Sequence, residues 1–496
     1  MAKILLIQVP GFGLQSCAAP YSLQSDHVDI LDLNLEITKQ ICGNDYKITT
    51  TDEGIRRHTQ YMVSYRKINQ ALSEYSNFEN LMDQFKEEIQ NYTIFALSLI
   101  TYWNQDILGH FTRYIKKIHS NAIIAIGGGV IMDGYPEIAQ SLLDMNFDII
   151  INGDGKEQLE ILATTGEVSH CYSSAFMKDG VPYNSSLKNN TLKAPEFHSN
   201  LLQYPYPQTV TIPFNVGCYW GRCSFCYDKS YAGAVSYEKC PDTDIINHMV
   251  EMKAQGIPYV FLGGSGIKKN ELRELLKKLN PLGDKVPRFC FECRSFEFDD
   301  ELALLLKESK IGKISFGLES PEEAIANDIY DKGISIEGFK RGLSRLDKLG
   351  FRRISVNITI SPVFCKKENL DEIIKFLNHY DCISDYIVYL LEIPQGTAIE
   401  ETASETLDKP MIKPLEEGVY EFSNQAQWYK ESITYLVENV KKPFSLYSDS
   451  GSHYQMCCLL NDEEMVSFRE RYYKIHKEQL ESEFKIYVGP GDLVSK

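Results

Sequence analysis

Short, largely apolar runs alternate along this chain with longer stretches whose apolar residues recur every three or four positions, and they do so in two separate series. The first series opens with "KILLIQV" at 3–9 and "VDILDLN" at 28–34. A polar stretch of helical spacing runs from about Asp52 to Asn91, and "YTIFALSLI" at 92–100 follows as a third apolar strand. The amphipathic "QDILGHFTRYIKKIHS", the strand "AIIAIGGG", the helix "YPEIAQSLLDM" and the strand "FDIIINGDG" complete it. Uniformly apolar strands separated by helices with one apolar stripe form an open parallel sheet covered on both faces, whose ligands bind beyond the carboxyl ends of the strands. Residues 1–165 therefore read as a Rossmann-like α/β domain.

Residues 166–208, rich in Ser, Asn and Pro and poor in periodicity, read as a linker. The second series then places strands in "QTVTIPFNV", "PYVFLGG", "PRFCFECRSFEF", "IGKISFGLES", "FRRISVNITISP" and "SDYIVYLLEIP". Helical patterns such as "NELRELLKKLN", "DDELALLLKES" and "IEGFKRGLSRLDKLG" stand between them. Six strand–helix units over 209–400 predict a (β/α)6 partial TIM barrel. The pattern from 401 to 496 predicts a mostly helical C-terminal cap facing the substrate, with Trp428, Tyr429, Tyr447, His453 and Tyr454 as candidate contacts.

A length of 496 residues suits two or three domains. With 51 basic against 68 acidic residues the formal charge is −17, which opposes binding to a phosphate backbone and removes nucleic acid as a partner. The opening "MAKILLIQVPG" is too short and too weakly charged for an export signal, and the longest apolar runs fall short of the roughly 20 residues that span a bilayer. A cytoplasmic protein without a membrane partner is expected, in which scattered cysteines such as Cys17, Cys42, Cys171 and Cys382 are small buried hydrophobes.

Three of the 13 cysteines break that scatter. In "NVGCYWGRCSFCYDKSYAG", Cys218, Cys223 and Cys226 share a glycine-punctuated loop directly after the first barrel strand, on the face where barrel enzymes place their chemistry. Three thiolates can hold three irons of a [4Fe–4S] cluster and leave the fourth iron open to a ligand. A disulfide is disfavoured by the compartment. Zinc is the stronger rival, since Cys223-x2-Cys226 can be paired with Cys290-x2-Cys293. Alternation along "RFCFECRS" opposes it, because Cys290, Glu292 and Arg294 face one side of the strand and Cys293 the other.

"CYWGRCSFC" resembles the cluster loop of the radical S-adenosylmethionine (SAM) superfamily, with Phe225 in the aromatic place before the last cysteine and a spacing of C-x4-C-x2-C, one residue longer than usual. The resemblance implies a [4Fe–4S] cluster on Cys218, Cys223 and Cys226 whose open iron is chelated by SAM. It also implies SAM contacts by Gly263 and Gly264 of "FLGGSG", where Ser265 replaces the family's acidic residue. Glu292 and Arg294 of "FECRS", Glu319 of "ISFGLES" and Asn357 on the fifth strand join them on the same ground. Read from the residues alone, Gly263–Gly264 also fits a plain turn, Glu292, Arg294 and Glu319 also fit a buried ion-pair network, and Asn357 equally fits a structural hydrogen bond.

The order of Rossmann-like domain and barrel resembles the cobalamin-binding (class B) branch of that family over residues 1 to about 400. There the loops "LSLITYWNQ" with Ser98 and Thr101, "AIGGGVIMDGYPE" with Gly127, Gly128 and Gly129, and "INGDGKEQL" with Gly153 receive the corrin. No D-x-H-x-x-G motif supplies a histidine below the cobalt, and the branch holds cobalamin without one. The resemblance implies C-methylation of an unactivated carbon in a peptide or natural product, using a 5′-deoxyadenosyl radical from one SAM and a methyl group passed from another through cobalamin. It further implies a one-electron donor such as flavodoxin or ferredoxin. Two alternatives stand beside it: a radical SAM enzyme that cyclises, epimerises or rearranges its substrate, and a zinc-stapled binding protein without catalysis.

Overall fold

The computed structural model describes residues 2–9, 23–43, 49–98, 105–127, 137–151, 155–172, 174–178, 181–184, 210–226, 237–257, 259–264 and 266–391, with shorter pieces up to residue 475. It divides into two compact units, residues 1–47 with 60–208 and residues 48–59 with 209–496.

The first unit is built on β1 (Ile4–Gln8), β2 (Val28–Asp32), β3 (Ile94–Ser98), β4 (Ile123–Gly127), β5 (Ile149–Ile151), β6 (Ser174–Lys178) and β7 (Val181–Asn184). They form one sheet in the order β2-β1-β3-β4-β5-β6-β7, and the first five run parallel. Every residue of β1 is buried, which is why Ile4–Ile7 are all apolar and do not alternate. Ile4, Leu6, Ile94, Ala125 and Ile149 pack against Leu159 and Leu162 of the helix Gly155–Thr165. Each of these Ile and Leu side chains contributes about 1.5–3 kcal/mol on burial. The chain leaves β1 for β2 and then returns to β3 on the other side of β1, so the switch point of the sheet lies between β1 and β3. Gln8 and Ser98 are the last residues of those two strands.

Two sequence expectations about these elements are corrected, and the helical spacing of Asp52–Asn91 is met. The strand expected at 28–34 stops at Asp32, whose carboxylate accepts a hydrogen bond from Leu35 N at 2.9 Å and so starts the helix Leu33–Cys42. The stretch from Asp52 to Asn91 folds as three helices, Asp52–Ala71, Tyr75–Asp83 and Lys86–Ile89. Within the expected linker 166–208, β6 pairs antiparallel with β5 and β7 with β6, extending the sheet. The sequence "SAFMKDGVPYN" carries the reason, two short strand-forming runs about an Asp-Gly pair, which is a hairpin signal.

In the second unit the strands are β8 (Val210–Pro213), β9 (Asn215–Val216) paired antiparallel with β10 (Glu238–Lys239), then β11 (Tyr259–Gly263), β12 (Arg288–Arg294), β13 (Ile311–Glu319), β14 (Ile354–Ile360) and β15 (Ile383–Leu390). Strands β8 and β11 to β15 lie side by side in sequence order, all parallel. The helices Asp242–Ala254, Lys269–Leu279, Asp300–Glu308, Ile336–Lys348 and Lys367–His379 connect them, as a (β/α)6 partial barrel requires. Alternation along β13 gives the sheet two unlike faces. Phe316 packs on Phe298 and on Phe339 of the helix Ile336–Lys348, at 5.2 and 5.3 Å between ring centroids. The neighbouring positions Lys313 and Ser315 point the other way, into a buried polar layer with Asp385, Ser355 and Asn357.

Beyond residue 400 most of the described residues are helical, and short strands the sequence pattern did not predict stand among them. Ile393–Pro394 (β16), Lys413–Leu415 (β17) and Val419–Glu421 (β18) form a small antiparallel sheet. The helix Ala426–Asn439 follows, and Phe444–Leu446 (β19) adds a parallel strand to β15. Strands of two or three residues carry no periodic signal, which is why the sequence pattern missed them. No helix among the described residues is long and apolar enough to cross a membrane.

Candidate cofactor site at the carboxyl ends of the barrel strands

The loop after β8 is tied to the end of β11 before it turns. Phe214 N donates to Gly263 O at 2.6 Å, and the buried Asn215 side chain donates through Nδ2 to Gly217 O at 2.7 Å. Gly217 and Gly221 then adopt left-handed φ values of +68° and +60°, which glycine adopts without strain. Between and after them stand Cys218 and Cys226, both half-buried, and the buried Cys223; Cys226 N donates to Cys223 O at 3.3 Å. A Cβ at Gly264 would lie 2.2 Å from Asn215 Oδ1, and one at Gly263 would lie 2.6 Å from Thr211 Cγ2. The predicted glycine turn is therefore needed by the approach of the cysteine loop itself. Gly266, which sequence reasoning missed, is needed in the same way, since a Cβ there would stand 3.1 Å from Cys218 Sγ. Ser265 lies outside the described residues.

Arg294, at the end of β12, reaches this loop. Its guanidinium donates to the Tyr219 hydroxyl at 3.2 Å and lies over the Trp220 ring with Cζ 4.2 Å from the centroid. Its Nε is buried without a partner, a donor held in reserve beside the cysteines. Glu292 sits two residues earlier on the same face, level with Ser315 of β13, and Asn357 accepts from Ser315 Oγ at 2.8 Å. Phe225 packs edge-on against Tyr330, at 5.4 Å between centroids.

Glu319 ends β13 at a bulge, with a left-handed φ of +63° that is costly for a residue other than glycine. Its carboxylate is fully engaged: Oε1 takes Lys332 Nζ at 3.0 Å and Oε2 takes Thr359 Oγ1 at 2.6 Å. The buried ion pair anticipated for Glu319 thus exists, but with Lys332. That lysine and Thr359 were both missed, because their contacts join segments far apart in sequence. Burial works to lower the Lys332 pKa, and the attractions of Glu319 and Cys223 outweigh it, holding it above the ordinary lysine value. Burial pushes the Cys223 thiol up, and Lys332 and Arg294 pull against that rise.

The zinc alternative fails on geometry. Cys290 packs with Tyr259 and Phe261 and is level with Lys313, whereas Cys293 is level with Phe316 on the opposite face. Among the described residues no three His, Cys, Asp or Glu side chains gather around one point, as a single metal ion requires. A cluster instead takes each thiolate at a separate iron. The cysteine loop, the glycines packed on it and the reserved donor of Arg294 fit a cluster with a ligand on its open iron.

In the first unit Ser98 and Gly127 end β3 and β4 side by side in register. A Cβ at Gly127 would lie 3.4 Å from Ile151 O, so this glycine also eases strand packing. Thr101, Gly128, Gly129 and Gly153 lie outside the described residues. Sequence reasoning missed Gln8, which is 4% exposed at the end of β1 and whose Oε1 is buried without a hydrogen-bond partner. An unpartnered polar atom beside the switch point fits a ligand with hydrogen-bond donors, such as the amide-bearing rim of a corrin.

Residues 212–379 match the radical SAM superfamily. Archaeosine synthase subunit beta of Methanosarcina acetivorans is 23% identical over 209 residues, 39% of this chain and 60% of that relative. The chain thus spans 60% of the length of that curated relative. The fold is shared with the radical SAM methyltransferase TsrM of Kitasatospora setae. In the form with tryptophan substrate and the SAM analogue aza-SAM bound, the likeness covers 97% of this chain and 100% of that one, with a TM-score of 0.63 and 14% identity. The form with cobalamin and a [4Fe–4S] cluster covers 84% of this chain and 78% of that one, with a TM-score of 0.55 and 13% identity.

Proposed function

We propose that this chain, whose residues 212–379 are a radical SAM domain, is a cobalamin-dependent radical SAM methyltransferase that methylates an unactivated carbon of a peptide or natural product. The observation that carries the reading is the pairing, in one chain, of a three-cysteine barrel loop with a parallel sheet whose switch point presents an unpartnered buried amide. The fold shared with TsrM over nearly the whole chain supports that pairing.

Cys218, Cys223 and Cys226 would hold the cluster, which, when bound with SAM, supplies a carbon-centred oxidant for hydrogen abstraction, while the corrin supplies the methyl group. The protein's part is position and charge. Arg294 offers Nε to an anionic group of the bound cofactor and is itself held in place by Trp220 and Tyr219. Tyr219 and Trp220 give the loop an aromatic surface against which the Arg294 guanidinium lies. Gln8 and Ser98 stand at the strand ends where the first unit would receive the corrin.

Anaerobic reconstitution of the full chain with iron, sulfide and hydroxocobalamin, followed by desalting, tests this. The reading predicts about four irons and one corrin retained per chain, and a gain of one methyl group in a candidate substrate. A chain that cleaves SAM but retains no corrin would overturn the methyl-transfer reading and leave cyclisation, epimerisation or rearrangement.

A further inference from the structure

Lys332 and Glu319 form a buried ion pair whose side chains are 5% and 8% exposed. Stability alone is a poor reason to keep such a pair, since the desolvation of two charges commonly cancels their attraction. The surroundings point to a use. Segment 329–333 is fastened to the cysteine loop at three places: Trp220 Nε1 donates to Asp331 O at 2.6 Å, Ser224 N to Tyr330 O at 3.1 Å, and Ser224 Oγ to Ile329 O at 2.6 Å. These bonds carry Lys332 to the loop, where its Nζ lies 5.7 Å from the centroid of Phe225, the residue before Cys226, and within electrostatic reach of Cys223. Gly317 keeps the space open, because a Cβ there would stand 3.0 Å from both Lys332 Nζ and Glu319 Oε1. The strained backbone at Glu319 then sets the carboxylate against the ammonium, and it too is within electrostatic reach of Cys223.

We propose that Lys332 and Glu319 act as opposed charges that set the reduction potential of the cluster held by Cys218, Cys223 and Cys226, the ammonium raising it and the carboxylate lowering it. The inference rests on the radical SAM reading above. One electron passes from a low-potential donor of the flavodoxin or ferredoxin class to the cluster, which becomes more negative by one charge while the donor is oxidised by one electron. A positive charge in low-dielectric surroundings favours that added charge, and a negative one opposes it. Lys332 touches no reacting atom and is a positioning residue.

The test is a redox titration of the reconstituted full chain with titanium(III) citrate, followed by electron paramagnetic resonance. Lys332→Met should make reduction at least tenfold less favourable, a shift of about 59 mV to more negative potential for one electron. Glu319→Gln should shift the potential the opposite way, and Lys332→Arg should stay near the wild type. Loosening of the loop would move both charge variants in one direction, so shifts of the same sign, or no shift at full cluster content, would overturn the inference. If Lys332→Met fails to load a cluster, the direction of the Glu319→Gln shift decides. A wild type that forms no cluster sinks the underlying reading, an outcome distinct from an unmoved potential.

Discussion

Gln8 and Glu319 each end a parallel strand, one in each unit, yet their side chains are in opposite states. Glu319 has both oxygens engaged by Lys332 and Thr359, whereas Gln8 keeps Oε1 buried and unpartnered. Leaving such an atom unsatisfied costs about 1–3 kcal/mol, so its retention suggests a partner that arrives with a ligand. Gln8→Leu should therefore leave the corrin-free protein as stable as the wild type or more so, while weakening hydroxocobalamin binding about 5- to 10-fold, the worth of one hydrogen bond. Equal affinities in an absorbance titration would contradict this. At this scale the sequence was only half legible. The cysteines, Arg294 and Glu319 announce themselves by residue type in a motif. Gln8 looks like the polar end of "KILLIQV", and nothing in "YDKGIS" says that Lys332 meets Glu319, because that contact exists only after β13 and the following loop have folded.

Most elements were written in the sequence, because a buried parallel strand must be apolar on both faces and its covering helix must carry one apolar stripe. What escaped was set by single contacts or short pairings: the Asp32 cap that shortens β2, the β6–β7 hairpin inside the expected linker, and the small strands after residue 400. Element joints also carry a measurable charge effect. Glu297, just past β12, accepts from Arg341 at 3.1 and 2.9 Å and from Arg345 at 3.2 Å on the helix Ile336–Lys348. Arg341 and then Arg345 hold its carboxyl down at about 2, against an ordinary value of 4.5. Because the folded value is the lower one, the stabilisation is present above pH 4.5 and is lost as pH falls toward 2. The thermal midpoint of the wild type should thus fall more steeply over that window than that of Glu297→Gln, and added salt should narrow the difference. Parallel slopes at low salt would contradict it.

At the scale of the whole molecule the two alternating series correspond to two compact units, each built on a largely parallel sheet with candidate ligand-binding residues at the carboxyl ends of its parallel strands. The substrate was not legible, since pocket shape depends on side chains brought together by folding and not on spacing along the chain. Both units matter to the proposed chemistry, but everything downstream depends on one iron left open at the three-cysteine loop. The most direct measurement is electron paramagnetic resonance of the reduced, anaerobically reconstituted full chain with and without SAM, beside Cys223→Ala. The account predicts a [4Fe–4S] signal that changes shape when SAM is added and is lost in Cys223→Ala; a signal indifferent to SAM, or no cluster in the wild type, would contradict it.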